Sequence, residues 1–133
     1  MGRWRGVTEL LLDTHAWVWS MIESSRLSRA AKLGLDGAST IFVSPISFYE
    51  ISQKARLGKW PAISPLIEEL PNLLVHQGAK AARLEPEICL RAGLMDWAHR
   101  DPFDRLLAAT ALHFKLSIVS ADSAFDGIVA RVW

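Results

Sequence analysis

The sequence predicts a three-layer α/β/α domain, with a central parallel sheet of about five strands covered by helices on both faces. Three observations carry this. Short apolar runs alternate with helically periodic segments along almost the whole chain. The first run, Glu9-Leu-Leu-Leu-Asp13, is a short apolar stretch ending in a carboxylate, as fits a buried parallel strand. A capping residue followed by proline, at Ser44-Pro45 and again at Asp101-Pro102, opens two of the helices.

Taken in order, residues 1–8 read as a loose lead-in and residues 9–133 as one domain. The lead-in carries two arginines but lacks the apolar stretch and small-residue cleavage site of a signal peptide, and Gly6 stands where myristoylation needs Ser or Thr. After the first strand, Thr14 to Met21 reads as a helix with Trp17 and Met21 on one face. Ser28 caps a second helix to Leu35, with Gly37 just beyond. Thr40 to Ser44 is the second strand, and a helix from about Ile46 stops at Gly58. Pro61 and Pro65 break the chain before a short helix near Leu66 to Leu70. Leu73-Leu-Val-His76 reads as a weak third strand, and Gly78 to Leu84 is ambiguous, with helix-forming alanines in a short segment. Pro86 starts a helix ending at Gly93, and a loop leads to Asp101. There Asp101 caps, Pro102 takes the first helical position and Asp104 falls where a capping box has its acid. Phe103, Leu106, Leu107, Thr110 and Phe114 follow at helical spacing and face a core. Leu116 to Ser120 is the fourth strand, and Ile128 to Trp133 supplies an edge strand.

Composition narrows the function. The chain has 133 residues, half of them apolar, enough for a proper core. A net charge of +1 gives no global basic field, so any contact with nucleic acid needs a local patch. The single cysteine, Cys89, permits no internal disulfide and reads as a small buried hydrophobe between Ile88 and Leu90. Four scattered histidines make no zinc framework. No apolar run is long enough to span a membrane, which places the expected location in the cytoplasm. Phosphate-cradling glycine motifs and the G-x-S-x-G elbow are absent. Asp13-Thr-His also lacks the second aspartate of an aspartyl-phosphate phosphatase.

What remains is a set of carboxylates. Asp13 ends the first strand, and Asp122 lies just past the fourth. Glu50 sits in the helix after the second strand, and Asp104 in the first turn of the helix that feeds the fourth. In an open parallel sheet, sites form outside the strand C-termini, and Asp13, Glu50 and Asp122 fall there by topology. Asp104 joins them if the loop from Gly93 to Arg100 crosses the top. Two unit charges 4 Å apart repel by roughly 4 kcal/mol at an effective dielectric of 20, so such a cluster persists when a divalent cation fills it. Oxygen-only ligands favour Mg²⁺ or Mn²⁺, and a hard cation held by carboxylates suits phosphodiester hydrolysis. Each acid also has a purely structural reading. Asp13 can cap the helix from Thr14, Glu50 can pair with Lys54, Asp122 can sit in a turn, and Asp101 and Asp104 can finish a helix N-terminus.

The chain resembles a PIN-domain ribonuclease, in particular the VapC-type toxin of a bacterial type II toxin–antitoxin pair. The matching pieces are Leu-Leu-Leu-Asp13-Thr-His-Ala-Trp, Val-Ser-Pro-Ile-Ser-Phe-Tyr-Glu50-Ile with Arg-Leu-Gly-Lys59, Pro86-Glu-Ile with Leu-Arg-Ala-Gly93, His99-Arg-Asp-Pro-Phe-Asp104-Arg-Leu-Leu-Ala-Ala-Thr-Ala, and Ser120-Ala-Asp122. Trp60, where an aliphatic residue is expected, and the arginines before Glu9 depart from the pattern.

The resemblance implies strand order 3-2-1-4-5 and Mg²⁺- or Mn²⁺-dependent endonuclease activity on RNA. It makes Asp13, Glu50, Asp104 and Asp122 the catalytic quartet. Asp13 and Asp104 are expected as the direct metal ligands, with Glu50 and Asp122 either completing the shell or orienting the water around a second ion. Thr14 and Ser120 are supporting hydroxyls, and Asp101 is a cap and supporting acid. Arg56, Lys59 and Arg100 are candidate phosphate contacts, and Trp60 and Trp97 candidate stacking partners for splayed bases. The implied partner is an antitoxin, a small DNA-binding protein encoded beside the toxin, whose basic side chain enters the acidic pocket. Its apolar grip would fall on Trp17, Trp19, Met21 and Ile22, and the toxin itself is expected to pair as a homodimer. Two other readings stay open: a PIN nuclease of RNA processing without an antitoxin, and a catalytically silent RNA- or protein-binding module. Four clustered acids facing phosphate argue against the last.

Overall fold

Three consecutive leucines decide the layering. In the computed structural model, which describes residues 8–133, β1 (Glu9–Leu12) lies at the centre of the sheet with Leu10, Leu11 and Leu12 all buried. Leu10 and Leu12 point into one core with Trp17, Val43, Ile51 and Ile63, while Leu11 points into the other with Leu107, Ile118 and Phe125. A strand alternates its side chains, so only one buried on both faces tolerates an unbroken apolar run. The lead-in expected over residues 1–8 lies outside the described residues except for Thr8, whose carbonyl accepts the Ser39 N–H at 2.8 Å.

Helix α1 (Thr14–Ile22) follows β1 directly, and α2 (Arg29–Gly37) runs to β2 (Thr40–Val43). Helix α3 (Pro45–Arg56) then leads through a 3₁₀ helix, Pro61–Glu69, into α4 (Leu70–His76) and β3 (Lys80–Ala81). After α5 (Pro86–Leu94) and α6 (Pro102–Phe114), the chain closes with β4 (Ser117–Val119) and β5 (Arg131–Val132). The five strands are all parallel, in the order β3-β2-β1-β4-β5. The order is the one the resemblance implies, and the layering is that read from the alternation of strands and helices.

The expected caps form. Ser28 Oγ accepts the Ala31 N–H at 3.0 Å, and Ser44 Oγ the Ile46 N–H at 3.1 Å. Gly58, at a φ of +74°, ends α3 with paired hydrogen bonds from its own N–H to the Ala55 carbonyl and from the Lys59 N–H to that of Lys54.

Four expectations need correction. The predicted third strand, Leu73 to His76, is the end of α4. Leu70 and Leu74 are buried there while Val75 is 73% exposed. A strand would bury Leu73 and Val75 together; the observed spacing is that of a helix face. The true third strand lies in the ambiguous segment, where Lys80 and Ala81 pair with Phe42 and Val43. Cys89 is exposed, because α5 turns Ile88 and Ala92 inward and leaves Cys89 on the outer side. The capping box is half made. Asp101 Oδ1 accepts the Phe103 N–H at 2.9 Å, but the Asp104 carboxylate bonds to His99 instead. Finally, Trp17 is 0% exposed, and Trp19, Met21 and Ile22 are half-buried against the same core, so most of the apolar surface expected to be free on α1 is covered by the chain's own core. Among the described residues the exposed large hydrophobics lie elsewhere, Leu90 and Leu94 on α5 among them.

Candidate active site

The β1–α1 junction sets the first carboxylate. The Asp13 N–H extends the ladder to the Val119 carbonyl at 3.0 Å, and Asp13 Oδ1 then caps α1 through the Ala16 N–H at 2.8 Å. One residue is thus pinned by the sheet on one side and by a helix on the other. The cap uses a single carboxylate oxygen, so capping and ligation are compatible. Burial pushes the Asp13 carboxyl up to about 6; the Ser120 hydroxyl and the Ala16 N–H oppose this, and Asp104 and Glu50 add repulsion.

Glu50 projects from α3 and is only 4% exposed. Its Oε2 accepts from Lys54 Nζ at 2.7 Å, one helical turn on. The pairing read from the sequence is real, but it is made at a buried site rather than on a solvated face. A buried carboxylate needs such a counter-charge.

Asp104 comes from the first turn of α6, and the loop after α5 does carry the chain across the top. Arg105 fixes that loop. Its Nε donates to the Ala92 carbonyl at 2.9 Å, Nη1 to those of Trp97 and His99 at 2.8 and 2.9 Å, and Nη2 to that of Met95. The loop so held delivers His99, whose Nε2 lies 2.7 Å from Asp104 Oδ2. Burial raises the Asp104 carboxyl, the His99 hydrogen bond opposes the shift, and Asp101 and Glu50 add to it.

Asp122 is exposed. Its N–H donates to Ser120 Oγ at 3.0 Å, and its Oδ1 accepts the Ala124 N–H at 2.9 Å, so it does sit in a turn. It also shares with Asp13 the wall of a cavity of about 710 Å³ at the C-terminal edge of the sheet. The structure therefore brings Asp13, Glu50 and Asp104 within electrostatic reach of one another and sets Asp122 at the rim beside Asp13. Thr14 Oγ1 and Ser47 Oγ bond at 2.9 Å, tying α1 to α3 under the site.

Sequence reasoning missed two histidines. His99, Asp101 and Asp104 form the one grouping among the described residues whose three candidate ligand atoms lie within 4.8 Å of one another. His99 stands five positions before Asp104, a spacing with no fixed meaning across a loop. His15 follows Asp13 by two and lines the cavity, its imidazole pushed down first by burial and then by Lys54. Of the candidate RNA contacts, Lys59 lines the cavity with Trp60, while Arg56 lines a separate shallow depression with Tyr49. Arg100 is exposed, and Trp97 is half-buried between His99 and Phe125.

Comparison with known proteins gives the family and the fold. A family model described as "PIN domain" matches residues 10–130. Ribonuclease VapC22 of Mycobacterium tuberculosis (strain ATCC 25618 / H37Rv) is 30% identical over 117 residues, covering 87% of this chain and 88% of the relative. Among solved structures, a toxin–antitoxin complex from Klebsiella pneumoniae superposes with a TM-score of 0.66 at 18% identity, covering 93% and 96% of the two chains. VapBC2 from Rickettsia felis, bound to a DNA fragment from its promoter, gives 0.61 at 13% identity over 93% and 97%. FitAcB from Neisseria gonorrhoeae gives 0.57 at 20% over 92% and 95%. At these identities, the structural matches speak to the fold.

Proposed function

The chain belongs to the PIN-domain family, and from that premise we propose that it is a divalent-cation-dependent endoribonuclease acting as the toxin of a toxin–antitoxin pair. One observation carries the nuclease reading: three mutually repelling carboxylates, Asp13, Glu50 and Asp104, converge beside an open cavity lined in part by the side chains of Arg26, Lys54 and Lys59. A fold gains nothing from burying acids together unless something positive is meant to join them.

The residues fit a hard cation. The donors are carboxylate oxygens with one imidazole at the margin, and Asp13 is raised by burial and by its acidic neighbours, which is the repulsion a divalent ion relieves. Asp13 and Asp104 would hold it, with Glu50 and Asp122 completing the set; the donor chemistry suits Mg²⁺ or Mn²⁺. When bound, such an ion supplies Lewis-acid activation of water and neutralises charge on the phosphate. The chain's own residues do the rest. His99 orients the Asp104 carboxylate, Lys54 pairs with Glu50 at a buried position, and the Arg105-anchored loop fixes His99. Water adds to phosphorus, one ester P–O bond breaks, and the proton released by water ends on the departing oxygen.

The test is Asp104→Asn, which keeps the side chain's shape and removes its charge. We expect Mg²⁺- or Mn²⁺-supported RNA cleavage to fall by about 10²-fold or more while the far-UV circular dichroism stays unchanged. Asp101→Asn, which caps as well as aspartate, should cut far less. Normal cleavage by Asp104→Asn would end the assignment. The toxin reading is supported by the VapC ribonuclease relative, and co-expression with the adjacent reading frame tests it. The two products should co-elute and growth arrest should be relieved; failure of both removes the toxin role and leaves a processing nuclease. Sedimentation of the purified chain measures the homodimer we also infer.

A further inference from the structure

The cavity beside the carboxylates has a second wall that hydrolysis of a phosphodiester does not require. His15 lies between two indoles, its ring centroid 4.9 Å from that of Trp60 and 5.7 Å from that of Trp19. The three rings form a continuous aromatic strip along the cavity, and both indoles are backed by the core, which holds them in place. Cations flank the strip. The Arg26 guanidinium stands 4.9 Å over the Trp19 ring, and Lys54 Nζ 5.6 Å from that of Trp60. Lys54 is committed to Glu50 at 2.7 Å, whereas Lys59 is exposed and Arg26 makes only a loose, exposed pair with Glu23 at 3.7 Å.

We propose that this strip is a subsite for one unpaired nucleotide of RNA, its base stacked on a ring face of the Trp60–His15–Trp19 strip and its phosphate met by Lys59 and Arg26. The inference rests on the nuclease reading above and gives it a substrate geometry. The rings tilt by 37° and 55° from one to the next, so each offers its own apolar face, and such faces edged by positive charge suit a planar ring joined to an anion. A neutral peptide segment would use the strip and leave the cations unanswered. Bases inside a duplex are already stacked and paired, so the strip selects single-stranded RNA. The volume, about 710 Å³, is within the roughly 300–1,000 Å³ of cavities that enclose small organic ligands. Asp13 and Asp122 line the same cavity, so a nucleotide held on the strip places a neighbouring phosphodiester against the acids and thereby chooses which bond is presented.

The experiment is fluorescence-anisotropy binding of a labelled single-stranded RNA of roughly eight nucleotides, without added metal so that it stays intact. Two comparison probes are the same oligomer with central abasic nucleotides and the annealed duplex. Stacking on one aromatic is worth enough that Trp60→Ala and His15→Ala should each weaken binding to the intact strand by about tenfold. Trp60→Phe should keep most of the affinity, and abasic RNA should bind the native protein as weakly as intact RNA binds Trp60→Ala. Lys59→Gln and Arg26→Gln should each lower the salt dependence of binding. Because Trp60 also packs on the core, thermal melts accompany each variant, and exposed His15 carries the result if Trp60→Ala melts early. Equal affinity of the native protein for intact and abasic RNA overturns the subsite. So does RNA binding that survives His15→Ala and Trp60→Ala while co-elution with a protein partner is lost, which would make the strip a protein contact. Cleavage by the native protein in Mg²⁺ or Mn²⁺ is scored separately. Cleavage with no effect of the strip variants removes the subsite and leaves the nuclease, whereas strip-dependent binding without cleavage removes the nuclease and leaves the subsite.

Discussion

Asp13 is held in two ways that pull against each other. Its cap to Ala16 wants a carboxylate, while its burial beside Asp104 and Glu50 makes that charge costly. Its carboxyl titrates at about 6, against an unfolded value near 3.9, so the folded chain binds the proton more tightly between those limits. Stability then falls as pH rises through that window, with about 3 kcal/mol lost by neutral pH from this group alone. Asp104, also raised, adds in the same direction. In EDTA, the melting temperature should therefore drop between pH 5 and 7.5, and Asp13→Asn should flatten the curve. A native profile that rises over this range would contradict the sign. At this scale the sequence was half legible. The acids and their spacing to caps were visible, and so was the Glu50–Lys54 pair. What was hidden was burial: nothing local tells that Glu50 is almost inaccessible or that Cys89 is exposed, since each depends on which way its helix faces.

Among the elements, the loop between α5 and α6 decides whether the site exists. It has no regular structure of its own, and one guanidinium gathers its carbonyls at Met95, Trp97 and His99 together with that of Ala92 in the last turns of α5. Lysine keeps the charge but not the fork, so it cannot hold carbonyls in several directions at once. Arg105→Lys should cost about 2 kcal/mol or more, lowering the melting temperature by several degrees. Hydrogen exchange over residues 95–101 should accelerate, and RNA cleavage should fall as His99 leaves Asp104. Native exchange rates in that variant would show that the loop is held otherwise. The α4–β3 region shows how an element misreads. An apolar tetrapeptide looked like a strand, yet Gly78 at a φ of +72° closes α4 with its N–H on the Val75 carbonyl and the Ala79 N–H on that of Leu74. That glycine was a helix stop in plain view. The strand beyond it escaped for a different reason: two residues with exposed side chains carry no periodicity to detect.

Across the whole molecule, alternation of strand and helix was enough to anticipate a parallel sheet and to place an acid at the end of β1 and another past β4. It could not show that the carboxylates tie together parts of the chain packed on opposite faces of the sheet. Asp13 begins α1 and Glu50 belongs to α3, both packed on one core, whereas Asp104 begins α6, which packs on the other. A cation bound by these acids would therefore join the two halves at the sheet's C-terminal edge and exchange their repulsion for attraction. An ion that binds the folded chain alone, at 100 times its dissociation constant, adds about 2.7 kcal/mol. Millimolar Mn²⁺ or Mg²⁺ at pH 7.5 should raise the melting temperature by several degrees, and by less near pH 5, where protonated Asp13 is a poor ligand. Asp13→Asn and Asp104→Asn should each blunt the rise, whereas Asp36→Asn, on the far helix α2, should leave it intact. A melt indifferent to the metal at pH 7.5, or a rise that persists unchanged in Asp13→Asn, would show that these acids hold no cation.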